Sequence, residues 1–498
     1  MKNQAQLIVY VDRIPGGTFR DLRHLLDGPL AGVFGGVHVL PFFDPIDGAD
    51  AGFDPIDHTQ VDRRLGSWDD VAALAAGTDV MADVIVNHVS RHSPQFADYD
   101  QRGQGSPYAG MFLTYRRVFP DGASESDLLA LNTPRPGLPF TAHETGRGER
   151  LLLWTTFTSD QIDIDVSHPE AQRYLASILH RLHGAGIRAI RLDAVGFAIK
   201  KAGTSCFMTP ETFAFIAKLT AQAHALDMEV LVEIHGHYQN QIAVARQVDR
   251  VYDFALPPLI LHTLYTRNGA ALKHWLHIRP CNAITVLDTH DGIGVADVDA
   301  ARGNDGPQGL LTPAEIAALV KTIHQRSRGE SQIASGSKAS NVDASQINCT
   351  FFDALGRRDS EYLVARAIQC FVPGIPQVYY VGLLAGCNDV ELLGRTGVGR
   401  DINRHYYTAD ELRVALTQPV VQSLLALLQI RNTHPAFQGT FAALESTDDT
   451  IALVWTNGDA FARLDVDVTG MCASITCSSR GAQSKGDVAW HTLSGARA

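Results

Sequence analysis

Cysteine is sparse and unpatterned in this sequence, with seven among 498 residues, at positions 206, 281, 349, 370, 387, 472 and 477. An odd count without metal-ligand spacing argues against a disulfide-stapled fold and against a cysteine metal centre. Cys472 and Cys477 are the one near pair, and no bridge is expected between them in a reducing cytoplasm, the expected location. Long apolar runs are missing too. The first, Leu7-Ile-Val-Tyr-Val11, is too short for a signal-peptide core or a membrane span and reads as a buried strand. Positive charge is in deficit: 42 Lys and Arg against 54 Asp and Glu leave a net charge of −12. That balance argues against nucleic acid or an anionic membrane surface as partners, so an anionic ligand needs a local cluster of arginines. No Gly-x-Gly-x-x-Gly follows the first strand, which removes the signature of dinucleotide binding.

What is present is a rhythm of short apolar runs and helical stretches. Strands are expected at 7–11, 36–42, 79–86, 187–193, 229–235, 250–254, 282–290 and 375–381. Helices are expected between them, two with N-terminal signals: Ser67 before Trp68-Asp-Asp, and Ser167-His-Pro-Glu170, which reads as a capping box with Pro169 in the first turn. Eight strands alternating with helices favour an α/β fold of the (β/α)₈ barrel type over a doubly wound open sheet. The rhythm breaks twice. The expected organisation is barrel at 1–87, an inserted domain at 88–166, barrel at 167–291, a second, irregular insertion at 292–355, barrel at 356–436 and a small β domain at 437–498.

Chemistry-bearing residues gather at the expected C-terminal strand ends, where barrel enzymes keep their active sites. They are His88, Asp193, Glu233, His290 and Asp291. Alternation along the fourth strand puts Arg191 and Asp193 on one face, so the arginine is expected to keep the carboxylate ionised; a purely structural ion pair is the alternative. Glu233 is expected on one strand face with Leu231 and His235, where apolar walls raise a carboxyl's pKa toward proton-donor range. A short ionised acid and a longer protonated one, ~5–5.5 Å apart, suit retaining cleavage of a glycosidic bond. A metal site of His88, His235 and Asp291 is the competing reading, without the His-x-His at a first strand that barrel metallohydrolases carry.

Four blocks, Asp83-Val-Ile-Val-Asn-His88, Gly186-Ile-Arg-Ala-Ile-Arg-Leu-Asp193, Glu229-Val-Leu-Val-Glu233 and Val286-Leu-Asp-Thr-His-Asp291, resemble the four signature blocks of the α-amylase superfamily (glycoside hydrolase family 13). The resemblance implies Asp193 as nucleophile, Glu233 as acid/base and Asp291 as transition-state stabiliser. Within that superfamily, Asp50-Ala-Gly-Phe-Asp-Pro-Ile-Asp57, Arg135-Pro-Gly-Leu-Pro-Phe140, Val251-Tyr-Asp-Phe-Ala-Leu-Pro-Pro258 and Gly399-Arg-Asp-Ile-Asn-Arg-His-Tyr-Tyr407 are similar to the sucrose phosphorylase family. By that similarity Asp50 and Arg400 grip the far hydroxyls of glucose and Phe53 is an apolar platform. His88, Arg191 and His290 close the pocket, and Phe157 and Gln161 edge it. Arg135, His235 and a loop carrying Asp343 and Gln346 line the acceptor side.

The implied partners are sucrose, inorganic phosphate, α-D-glucose 1-phosphate and fructose, with transfer to other acceptors. No organic cofactor and no required metal are implied, although Asn87 occupies a position that some relatives use near calcium. The chain is expected to act as a monomer or homodimer. Related phosphorylases of sucrose 6′-phosphate, glucosylglycerol or glucosylglycerate, or an α-glucoside hydrolase or transglucosidase, are the alternatives. Asn132 and Ser345 stand where the family pattern has tyrosines, and Phe197 where it has a tyrosine. These departures imply a roomier acceptor side.

Overall fold

The computed structural model describes residues 1–48, 50–300, 308–336, 345–478 and 488–493. Eight parallel strands close a barrel in simple sequence order: β1 (Gln6–Val9), β2 (Gly36–Val39), β3 (Asp79–Ile85), β4 (Ala189–Asp193), β5 (Glu229–Val232), β6 (Arg250–Asp253), β7 (Ala283–Thr285) and β8 (Ile375–Tyr379). Their apolar residues are buried on both faces, as parallel strands covered by helices must be. The outer helices include α1 (Phe19–Asp27), α2 (Trp68–Ala75), α3 (Pro169–Gly184), α4 (Pro210–His224), α5 (Tyr238–Ala245), α6 (Leu256–Thr266), α7 (Asp359–Phe371) and α8 (Pro419–Thr433).

Local chemistry sets several boundaries. Ser67 and Asp70 form the capping box that opens α2. The expected box at α3 is not there: its N-cap is His168, whose ring accepts from the Glu170 backbone N–H at 3.2 Å, with Pro169 in the first turn. Gly186 turns the chain from α3 into β4 at a φ of +84°, where a side chain would be strained.

Several expected strands are too long. β5 ends at Val232, β7 at Thr285 and β2 at Val39, so Glu233, His235, His290 and Asp291 stand on loops beyond the ladder. The apolar residues that prolonged the pattern, Ile234, Val286 and Leu287, are buried under those loops instead.

The segment between β3 and α3 carries three short α-helices and a 3₁₀ turn, a hairpin of Phe140–Glu144 with Arg150–Trp154, and a pair of strands, His88–Ser90 with Gln161–Asp163. It has its own apolar cluster around Trp154, with Phe140 edge-on to the indole at 4.9 Å. The segment after β7 is more regular than expected, because it contains helices Pro313–Arg326 and Glu330–Ser335. Beyond α8 lies an antiparallel five-stranded sheet, Thr440–Leu444 to Val488–Leu493. Trp455 ties it to the barrel by donating Nε1–H to the Phe371 carbonyl of α7 at 2.7 Å.

The barrel interior is not purely apolar. Register sets Arg191 of β4 beside Asp83 of β3. From Asp83 a polar chain runs down the barrel through His38 (3.0 Å), Tyr252 (3.2 Å), Gln377 (3.2 Å) and Gln6 (2.8 Å). A buried polar chain with each link made is rigid, and it fixes the guanidinium on which the site is built.

Candidate active site

Arg191 is buried, and its Nη1 donates to Asp83 at 2.5 Å and to Asp193 at 2.9 Å, while Nη2 lies 4.0 Å from Glu233. One guanidinium therefore serves three carboxylates. Burial pushes Asp83 up, but Arg191 and His38 outweigh it and leave that group at about 2. Asp193 departs from expectation. Burial drives its carboxyl well above the usual range, and the pull of Arg191 does not cancel the push of burial with Glu233, Asp83 and Asp291. Arg191 pulls against that rise, while Glu233, Asp83 and Asp291 add to it as like charges.

Glu233 accepts from the backbone N–H of Ala194 at 3.0 Å, so the residue following Asp193 holds the opposing acid in place. Asp291 has better company. Burial raises it, yet Arg400 at 2.9 Å and the His290 and His235 rings hold it well below the usual carboxylate range. Asp50 lies 3.8 Å from Arg400 and 3.7 Å from Arg404, a buried arginine that sequence reading missed.

These residues wall a small cavity of about 350 Å³, lined by Asp50, Phe53, His88, Asp193, His290 and Asp291, among others. Phe53 stacks on His290 at 4.6 Å and 8°, which presents a flat apolar floor. His88 and Gln161 both spend a nitrogen on the Phe53 carbonyl, at 3.0 and 3.2 Å, and so fix that floor from beneath. Burial pushes the His88 and His290 rings down. Of the three residues in the metal reading, His235 and Asp291 come together with Glu233, their ligand atoms within 4.8 Å of one another, while His88 spends its Nε2 on the Phe53 carbonyl.

Phe157, Ala194, Glu233 and Arg400 are shared with a second, wider cavity of about 2090 Å³ that opens to solvent. His235, Gln346, Asn132, Ser345, Phe197 and Phe207 are among its walls. Gln346 reaches the junction, accepting from Arg400 at 3.2 Å and from the Gly292 N–H at 3.1 Å. Arg135 does not reach it: its guanidinium is turned to the carbonyl and hydroxyl of Thr155, at 2.7 and 3.1 Å. Asp343 and most of its Gly/Ser-rich loop lie outside the described residues.

Beside Asn87 the structure puts the chain's own cation. Lys200 Nζ lies 2.7 Å from Asp163 and 2.9 Å from the Asn87 amide oxygen, with both charged groups almost wholly buried. Thr156 completes the set by donating from its N–H and hydroxyl to Asp163, at 2.9 and 2.6 Å. Breaking a buried pair from one side leaves an uncompensated charge. Lys200→Ala is accordingly expected to cost about 3 kcal/mol of stability, read as a fall in the denaturant midpoint; a change within error would show that Asp163 needs no partner there.

A closed parallel barrel with two opposed acids at its C-terminal face, a third beside them and a sugar-sized cavity between is the architecture of the α-amylase superfamily. The Alpha amylase, catalytic domain family model matches residues 32–261. At full length the chain is 59% identical over 480 residues to the sucrose phosphorylase of Agrobacterium vitis, covering 96% of this chain and 98% of that one. It is 51% identical to the sucrose phosphorylase of Bifidobacterium adolescentis, over 91% of this chain and 90% of that one. The crystal structure of the sucrose 6F-phosphate phosphorylase from Thermoanaerobacter thermosaccharolyticum superposes with a TM-score of 0.90 at 36% identity, covering 99% of both chains. The chain belongs to the sucrose phosphorylase family.

Proposed function

We propose that this protein converts sucrose and inorganic phosphate reversibly into α-D-glucose 1-phosphate and D-fructose, by double displacement with net retention. The observation that carries the reading is the position of Asp193 and Glu233, both within 4.0 Å of one guanidinium where the small cavity meets the wide one. Relatives at 59% and 51% identity bearing the sucrose phosphorylase name support the choice of substrate.

In the first step the glucosyl ring of sucrose occupies the small cavity, its far hydroxyls against Asp50 and Arg400. An Asp193 oxygen bonds to the anomeric carbon as the bond to the fructosyl oxygen breaks, and Glu233 passes its proton to that oxygen. Fructose leaves through the wide cavity, and a β-glucosyl ester remains on Asp193. In the second step a phosphate oxygen attacks from the face that fructose left. The ester bond breaks and the phosphate proton returns to Glu233. Two inversions give the α product.

Asp291, kept charged by Arg400 and its histidine neighbours, faces the positive charge that grows on the ring in both transition states. Occupation by a neutral sugar expels water, which strengthens that attraction. The test is to incubate the purified protein with sucrose, with and without phosphate. Glucose 1-phosphate as the main phosphate-dependent product is expected. Phosphate-independent glucose release as the main reaction would instead mark a hydrolase. Inert sucrose with turnover of a phosphorylated or glyceryl glucoside would mark a sister phosphorylase.

The wide cavity also supports transfer to alcohols other than fructose. Phe157, Phe197 and Phe207 form a continuous wall beside Glu233, with ring centroids 5.5 and 4.7 Å apart in succession, and Asn132 and Ser345, where the family resemblance implies tyrosines, are among the same walls. An aromatic alcohol can bury its ring on that wall for about 1–2 kcal/mol. With sucrose as donor and no phosphate, this protein is expected to glucosylate a bulky phenolic acceptor about tenfold faster than a member with both tyrosines. Equal rates would show that those two positions do not control acceptor size.

A further inference from the structure

Asp297 is wholly buried and lies in the loop after β7, 62 positions along the chain from the histidine it meets. Its Oδ2 is 3.1 Å from His235 Nδ1, and its Oδ1 accepts from the Gly236 N–H and from Gln241 Nε2, each at 3.1 Å. Among the described residues, His235 is its one ion-pair partner. A carboxylate out of reach of water needs a countercharge, and here the ring is the available one.

The ring is gripped from a third side by Phe254, stacked at 3.9 Å and 16°. With Nδ1 committed to Asp297, Nε2 points to the gap between Glu233 (3.6 Å) and Asp291 (3.8 Å) and has no hydrogen-bond partner although it is buried. Gly294 makes the contact possible: a Cβ there would lie 2.3 Å from Asp297 Oδ2 and 3.2 Å from His235 Nδ1.

The geometry points to Asp297 as a positioning residue for the acceptor step: it locks His235 as an imidazolium whose Nε2–H awaits an oxygen of the incoming anion beside Glu233. The inference rests on the reading that phosphate attacks a glucosyl-enzyme here. It supplies that attack with a fixed positive charge in a state where Arg135 is turned away to Thr155. A charge-assisted hydrogen bond discriminates anionic phosphate from water and from neutral alcohols, which gain little from a full charge.

The test is Asp297→Asn, which keeps shape and removes the charge. Its KM for phosphate in phosphorolysis is expected to rise about tenfold, while phosphate-independent release of glucose from sucrose falls several-fold less, because Arg400 still holds Asp291 charged. Gly294→Ala, which pushes the carboxylate off the ring, is expected to show the same split. An unchanged phosphate KM in either folded variant, or an equal loss of both reactions, would overturn the assignment. Should neither variant fold, ¹⁵N NMR of the histidine-labelled parent decides: both ring nitrogens of His235 protonated above neutral pH supports the lock, and a neutral ring refutes it. A parent protein that makes no glucose 1-phosphate would instead remove the underlying reading, an outcome visible before any variant is made.

Discussion

Asp193→Asn is expected to lower sucrose turnover by at least about 10⁴-fold, because the amide cannot form the glucosyl ester through which both half-reactions pass. The same substitution is expected to stabilise the fold. The Asp193 carboxyl is raised in the folded chain by burial and by three neighbouring acids. A group with a raised folded-state pKa contributes stability that is complete below its unfolded value and lost as pH rises through the folded one. At neutral pH the ionised carboxylate is therefore a burden on the native state, relieved only in part by Arg191. An amide of the same shape removes the burden, and Arg191 keeps Asp83 at 2.5 Å as its partner. The melting midpoint of the variant is expected to exceed that of the parent by roughly 1–2 °C at neutral pH. The gain should shrink as pH falls toward the unfolded-state value, where the parent carboxyl is neutral in both states. A variant less stable than the parent at neutral pH, or a gain that grows in acid, would mean that Arg191 holds Asp193 charged after all.

The second large effect is at Glu233. Glu233→Gln removes the proton that the fructosyl oxygen takes on leaving, and sucrose turnover is expected to fall by about 10³-fold. The drop should depend on the leaving group. With α-D-glucosyl fluoride, whose fluoride departs without a proton, the first step is expected to lose less than about tenfold. Azide, which needs no base to attack, is expected to intercept the intermediate and yield α-D-glucosyl azide. A uniform loss across donors would remove Glu233 from proton transfer and leave it a role in shaping the cavity, where the Ala194 N–H already holds it at 3.0 Å.

The parts of this site that lie on strands or directly past their ends were legible in the sequence. Arg191 and Asp193 share a face by simple alternation, and Glu233, His290 and Asp291 follow apolar runs closely enough to be assigned to the barrel mouth. The strands were read too long because apolar character does not stop where the ladder stops: Ile234 and Leu287 are buried by loop packing, which looks the same in one dimension. What could not be read was sharing. Asp83 is visible as an acid within an apolar strand, but its contact with Arg191 follows from the register between β3 and β4, and from there it adds to the push that raises Asp193.

Long-range partners were equally hidden. Asp297 lies in a loop 62 positions from His235, and Arg404 reaches within 3.7 Å of Asp50 from the far end of the chain. Neither stands at a helix or strand period that would mark it. Lys200 was readable only as a lysine after a strand, and its burial against Asp163 is a product of the inserted segment folding back on the barrel. Arg135 shows the converse. Its residue type suited an anion site, but the structure turns it to Thr155.

The most direct measurement of the central claim is to trap the intermediate. Glu233→Gln protein is mixed with α-D-glucosyl fluoride in the absence of phosphate, quenched in acid, digested and examined by mass spectrometry. One added hexosyl group on the peptide containing Asp193, lost on prior addition of phosphate with release of α-D-glucose 1-phosphate, is the predicted result. A hexosyl group on another residue, or none while glucose 1-phosphate still forms, would contradict the account.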